Sequence, residues 1–339
     1  MRGLKRASRL AGTLFLALLL GACSHALQSA RLQDDPPAGL PLQHELKDTP
    51  FFAQQRYHCG PAALATVLVQ RGLGVMPEAL AAQVYLPGRE GSLAVEMDAA
   101  ARRHGMLAYP LEAQMESILR EIAAGNPVLV LQNLGLNWLP QWHYAVVVGY
   151  DLGDGDLILR SGLIERYVVS MDVFETTWRR GDYWARVLMP PGQLPATAQP
   201  LTYLQANLDL EETSQPEAAL QGYRSATAAW PEVAVAWLAR GNLAYQQGLD
   251  DEAVQSFSLG LRVTPDDAAL WNNLGYALAR KGCGAQALAA IHCALSLAPN
   301  QPAYRESLRE LQAAPETAAD CETPACPGAS EDHVTAIRR

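Results

Sequence analysis

The chain has little with which to hold a nucleic acid, a nucleotide or a second membrane span. No glycine-rich phosphate loop occurs in its 339 residues, so the backbone cradle that nucleotide phosphates require is missing. Beyond residue 22 no apolar run approaches the length of a membrane-spanning helix. Basic residues are in deficit: 26 Lys and Arg stand against 35 Asp and Glu, a formal charge of -9. That balance argues against binding nucleic acid or anionic lipid through charge. Metal ligands are thin as well. His44, Glu45, Leu46, Lys47, Asp48 starts like a zinc-protease motif, but Asp48 stands where a second histidine is required. No metal and no cofactor are expected.

What is present begins at the amino terminus. Arg2, Lys5, Arg6 and Arg9 precede an apolar run from Leu10 to Leu20, the layout of a secretory signal. The run is too short to cross a bilayer, and it ends in Leu20, Gly21, Ala22, Cys23. This ending resembles the lipobox of bacterial lipoproteins. The resemblance implies cleavage before Cys23, diacylglycerol on its thiol, and attachment to a membrane through that lipid. Ser24, standing where an aspartate can stand, implies by the same resemblance the outer membrane, with the body facing the periplasm. An ordinary cleaved signal with an incidental cysteine is the alternative. Loss of residues 1–22 removes four cations and no acids, leaving 22 cations against 35 acids and a charge of -13. Five cysteines remain beyond Cys23, namely Cys59, Cys283, Cys293, Cys321 and Cys326. In a compartment that permits disulfides, one of the five is expected to stay free.

Residues 23–48 are polar, carry Pro36, Pro37 and Pro41, and show no sustained period, so they read as a tether. Residues 49–189 form a first domain, and Pro190, Pro191, Pro195 and Pro200 mark a linker over 190–200. The helical region 201–313 repeats every 34 residues. Aligning Tyr203, Trp237 and Trp271 also aligns Asn207, Gly241 and Gly275, then Ala219, Ala253 and Ala287, then Tyr223, Phe257 and Ile291. Pro231, Pro265 and Pro299 close the units. The pattern resembles three tetratricopeptide repeats, which implies stacked helix pairs that bind a peptide or protein partner. A purely structural helical cap is the competing reading. Residues 302–313 read as a terminal helix, with Tyr304 and Leu308 covering the third repeat. Residues 314–339 lack large apolar side chains and read as disordered. Within them Cys321 and Cys326 lie close enough for a small loop disulfide, and a Cys283–Cys293 bridge is a further option.

The first domain carries the chemistry. From Cys59 onward Leu64, Val67 and Leu68 follow helical spacing and Pro61 suits a first turn, which places Cys59 at a helix amino terminus. There the dipole and free amides favour thiolate over thiol. A buried structural cysteine is the plain alternative. Residues 127–133 read as a buried strand, His143 opens another through Tyr150, and a turn at 151–156 leads to a third at 157–159. A histidine within reach of the cysteine can take the thiol proton and later protonate a leaving amine.

The phrases Gln54 to Leu64 and His143 to Tyr150 resemble the C39-like peptidases of the papain clan. In that family a glutamine precedes a cysteine that begins the central helix, and a histidine begins a strand of an antiparallel sheet. The resemblance covers residues 49–189 and implies an α+β papain-like cysteine peptidase fold, a helix packed on an antiparallel sheet. It makes Cys59 the nucleophile, His143 the general base and acid, and Gln54 the donor to the oxyanion, with Gln55 as fallback. The family places an aspartate or asparagine after the histidine strand; here Ser161 occupies that place and is the expected third member. A serine hydroxyl orients the ring but stabilises an imidazolium less than a carboxylate does. Asp151, Asp154 and Asp156 read as solvated turn residues. Two outcomes follow: a cysteine peptidase with a weak third member, or a non-catalytic peptide-binding descendant. Amide-transferring chemistry on the same dyad is a third. Transporter-linked relatives trim leader peptides on the cytosolic side; this sequence shows neither transporter spans nor a nucleotide loop, so that substrate class is not carried over.

Overall fold

The computed structural model describes residues 26–54, 59–89, 91–313 and 321–327. Cys23, the signal segment and Gln55 lie outside the described residues. The chain divides into two compact units, one reaching Pro190 and including Pro195–Ala198, the other formed by Pro191–Leu194 and the chain from Gln199.

In chain order the first unit contains α1 (Leu27–Asp34), β1 (Gln43–Glu45), α2 (Cys59–Gln70), α3 (Pro77–Val84), β2 (Tyr85–Leu86), β3 (Gly91–Ser92) and α4 (Ala94–Arg103). It continues with β4 (Leu107–Pro110), α5 (Met115–Ala123), β5 (Val128–Asn133), β6 (Trp142–Asp151), β7 (Asp156–Ser161), β8 (Ile164–Ser170), α6 (Met171–Arg179) and β9 (Ala185–Met189). Seven strands form one sheet in the order β4-β9-β5-β6-β7-β8, with β1 joined to β6. Every pairing in it is antiparallel. The apolar runs of β5 and β6 are buried on both faces, which is why they read as continuous rather than alternating.

Strand alternation divides those side chains. Tyr144, Val146 and Val148 of β6 join Leu64, Val67 and Leu68 of α2 in one core with Leu129 and Leu188. Each such side chain contributes about 1.5–3 kcal/mol of transfer free energy. The spacing of Leu64, Val67 and Leu68 thus does two things: it presses α2 on the sheet and fixes where its first residue, Cys59, must lie.

Residues 23–48 are not the unstructured tether that their composition predicts, at least from residue 26. Helix α1 is seated by the buried carboxylate of Glu175, whose Oε1 accepts from Gln28 N (3.1 Å) and whose Oε2 accepts from Ser29 N (2.8 Å) and Ser29 Oγ (2.5 Å). These are amides of the helix's first turn, which have no partner inside it. Strand β1 pairs with Gly149–Asp151. Both elements are too short to show a period.

In the second unit α7 (Pro200–Glu212), α8 (Pro216–Ala229), α9 (Ala234–Gln246), α10 (Asp250–Val263), α11 (Ala268–Arg280) and α12 (Gly284–Leu297) form three antiparallel pairs, followed by α13 (Pro302–Gln312). The 34-residue alignment has physical content. A methyl on Gly241 would strike Phe257, and one on Gly275 would meet Ile291 Cδ1 at 2.6 Å. In the divergent first repeat the small residue has changed helix: Asn207 fills its own position and Gly222 of α8 makes room for it. Trp237 Nε1 donates to Pro231 O (2.8 Å) and Trp271 Nε1 to Pro265 O (2.7 Å), so in the second and third repeats the aromatic anchors on the proline that closes the one before. Tyr304 and Leu308 on α13 are only partly covered.

The cysteine pairing differs from both expected bridges. Cys283 bonds Cys321 and Cys293 bonds Cys326. Residues 321–327 are therefore fastened to the third repeat, and the expected disorder of the tail does not hold for them. Among the described residues Cys59 is the free thiol.

Candidate active site

The site is assembled around the backbone of one residue, Tyr144. The β6–β7 ladder begins at Val146↔Arg160, so ahead of it the two strands separate. The N–H and C=O of a strand residue point to the same side. Both groups of Tyr144 are engaged by the predicted site residues. Its amide is among the backbone groups that favour the Cys59 thiolate, and its carbonyl accepts from Gln54 Nε2 at 3.3 Å. Gln54 N donates to Gly162 O at 2.9 Å, which ties the segment before Cys59 to the β7–β8 turn. The second amide hydrogen of Gln54 is left for another acceptor.

His143 is the second residue of β6. Its Nε2 lies 2.8 Å from Ser161 Oγ, the last residue of β7. If Nε2 carries the hydrogen and Ser161 accepts it, Nδ1 presents a lone pair, the state a general base requires. Among the described residues this Ser161 contact is the one hydrogen bond of the imidazole, and none joins it to Cys59.

Cys59 starts α2 as predicted. Gly60, Pro61 and Ala62 behind it are buried. A methyl on Gly60 would lie 2.5 Å from Ser92 Oγ and 2.8 Å from Ser92 Cβ, so the residue after the cysteine must be glycine for β3 to close over the helix start. The Tyr144 ring packs edge-on against Trp184 at 5.6 Å, holding that stretch of β6 in place.

The electrostatics correct one expectation. Burial pushes the Cys59 thiol up from its ordinary value, and this outweighs the opposing backbone hydrogen bonds from Tyr144, Gly60 and Cys59 itself. Burial also pushes His143 down. Desolvation disfavours whichever form is charged, so burial works against both the thiolate and the imidazolium. The helix start does favour thiolate, as the sequence suggests, but not by enough.

Other predicted groups fall where the residue types imply. Asp151 Oδ1 accepts from Gly153 N (2.9 Å) and Asp154 N (3.1 Å), a solvated turn remote from the histidine end of β6. Among the described residues no cluster of His, Cys, Asp and Glu could hold a metal ion, and no helix is long and apolar enough to cross a membrane. Sequence reasoning missed Tyr144, whose part is played by backbone atoms that any residue supplies, and Ser92, which acts through shape alone.

A cysteine opening a helix on an antiparallel sheet, with a histidine at a strand start and a run of helix pairs beyond, defines a peptidase-type domain carrying repeats. Residues 46–183 match the model of the Peptidase_C39 like family, and residues 241–282 match that of the TPR repeat. None of the curated proteins matches the chain. Among solved structures the chain is similar to one described as a C39-like peptidase from Bacillus anthracis, at 18% identity and TM-score 0.37, over 43% of this chain and 97% of that one. It is also similar to the Arabidopsis OM64 TPR domain (15% identity, TM-score 0.32, 33% and 93% covered). A third is the first TPR of Spaghetti (RPAP3) bound to an HSP90 peptide (16% identity, TM-score 0.32, 33% and 90% covered).

Proposed function

We propose that the protein is an exported, lipid-anchored cysteine peptidase that cleaves peptide or amide bonds. Cys59 attacks the scissile carbonyl as His143 Nδ1 takes its proton, which gives a tetrahedral adduct, still bearing the amine, whose negative oxygen is met by the free amide hydrogen of Gln54. The imidazolium then protonates the leaving amine, and water, deprotonated by the same imidazole, releases the acyl group. Cys23 carries the lipid, the body faces the periplasm at the outer membrane, and the repeats hold a protein partner or the substrate.

The observation that carries this reading is the 2.8 Å contact of His143 Nε2 with Ser161 Oγ, which engages one ring nitrogen and leaves Nδ1 to act as the base. Export is supported by the two disulfides, which pair every described cysteine except the proposed nucleophile. Because burial disfavours both charged forms, proton transfer is expected to accompany attack instead of preceding it. The test is alkylation of Cys59 by a peptidyl electrophile at neutral pH: labelling is expected, and His143→Ala suppresses it. Equal labelling of the two proteins removes the peptidase claim.

One observation favours a second reading, a peptide-binding descendant without turnover: Ser161 stands where a carboxylate would stabilise the imidazolium, and the thiol is raised. Binding of a peptide without acyl-enzyme formation would establish it.

A further inference from the structure

Residues 134–142 and 163–164 hold seven of the fifteen large apolar side chains that are exposed among the described residues of the first unit. The two stretches flank the site. The first, the β5–β6 connection together with the first residue of β6, ends one residue before His143, and the second begins two residues after Ser161. Trp138 is 78% exposed and Leu163 77%. Concentrated exposure of this kind marks a binding surface.

We infer that this surface receives an extended peptide whose large apolar side chains lie next to the bond presented to Cys59, an inference that rests on the peptidase reading. Two features fit a peptide and not a bilayer. Strand β8 ends the sheet, and six of its seven residues are exposed. Its outer edge has no strand partner among the described residues, and main-chain groups there are satisfied by an extended peptide but not by hydrocarbon. The β5–β6 connection is also held firm. Asn133 Oδ1 accepts from Gly135 N (3.0 Å) and Gln141 N (2.8 Å), Leu136 bridges Leu139, and Arg180 Nη1 donates to Gly135 O (2.9 Å). A preset loop loses little freedom when a ligand arrives. The turn at Gly162, which leads into β8, is bonded to Gln54 N, so that edge strand is joined to the segment bearing the proposed oxyanion donor.

The test uses the full chain in lipid nanodiscs with Cys59→Ala, so that binding is read without turnover. Two fluorescent decapeptides of equal charge are compared, one with Leu, Phe and Trp, the other with Ser and Gln in their places. The apolar peptide is expected to bind at least about tenfold more tightly, and Trp138→Ser and Leu163→Ser each to weaken it roughly five- to tenfold. Both positions are exposed enough for the fold to persist. Equal binding of the two peptides, or undiminished binding by both variants, overturns the inference and assigns the patch to another surface, a bilayer included. Binding as expected with no hydrolysis by the Cys59 protein sinks the peptidase reading and leaves the recognition standing.

Discussion

His143 reaches Ser161 across the separating ends of β6 and β7, with Nε2 2.8 Å from Oγ. A hydroxyl in that position sets the direction of the ring without adding charge. Burial alone then governs the ionisation of His143, and it does so downward.

Replacing that hydroxyl with a carboxylate should restore the missing charge. In Ser161→Asp the imidazolium gains an opposite charge at hydrogen-bond distance, and the thiol proton moves more readily to the ring. Alkylation of Cys59 at pH 7 is expected to accelerate roughly tenfold, the equivalent of one pKa unit. Ser161→Ala should slow it by loosening the ring. A slower Ser161→Asp protein would show that Ser161 does not address His143 in solution.

The pH dependence of the unmodified protein follows from the two opposed shifts. With the thiol raised, labelling by iodoacetamide should keep climbing beyond the ordinary thiol range, with no plateau near neutrality. With His143 lowered, the neutral base persists below the ordinary imidazole range, so the acid limb of hydrolysis moves to lower pH. Stability follows the same sign. The unfolded histidine binds its proton first as pH falls, so the native state is weakened below the unfolded value of about 6.5. Thermal melts between pH 5 and pH 8, compared with His143→Ala, check this.

Gly60→Ala should destabilise the first unit by about 1–3 kcal/mol, since the new methyl meets Ser92 Oγ at 2.5 Å and Ser92 Cβ at 2.8 Å. Ser92→Gly removes both atoms. The double substitution should recover most of the loss in urea titrations, whereas additive losses would show that the conflict lies elsewhere.

Reduction should act on one unit only. Breaking Cys283–Cys321 and Cys293–Cys326 is expected to lower the repeat unit by about 2–4 kcal/mol per bridge. The peptidase-type unit, whose described cysteine is free, should melt unchanged. Scanning calorimetry with and without a phosphine reductant separates the two transitions.

Much of the site was legible because it is written in local pattern. Cys59 opens helical spacing and His143 precedes an apolar strand, so two short-range signals located two side chains, whereas Ser161 was reached through the resemblance to the C39-like peptidases. The repeats were legible for the same reason, and Asn207 was correctly marked as the irregular position, although its partner Gly222 was not foreseen. What escaped depends on distant partners. Helix α1 is stabilised by Glu175, 146 residues from Ser29, and nothing within 23–48 announces it. Disulfide connectivity follows from how the tail returns to α12, which spacing does not encode. The ionisation of Cys59 was misjudged because the dipole is visible in a helix start, whereas the depth of burial belongs to the finished sheet.

The seating of α1 on Glu175 changes the scale on which an anchored protein would work. A tether of residues 23–48 could let the domain roam tens of ångströms from a bilayer. Residue 26 is already among the described residues of the fold, and Cys23 stands three positions before it, so no more than about 11 Å can separate the two Cα atoms. A lipid on Cys23 would therefore keep the domain grazing the headgroups, and its turnover would scale with how often a substrate visits that surface, not with its concentration in the periplasmic volume.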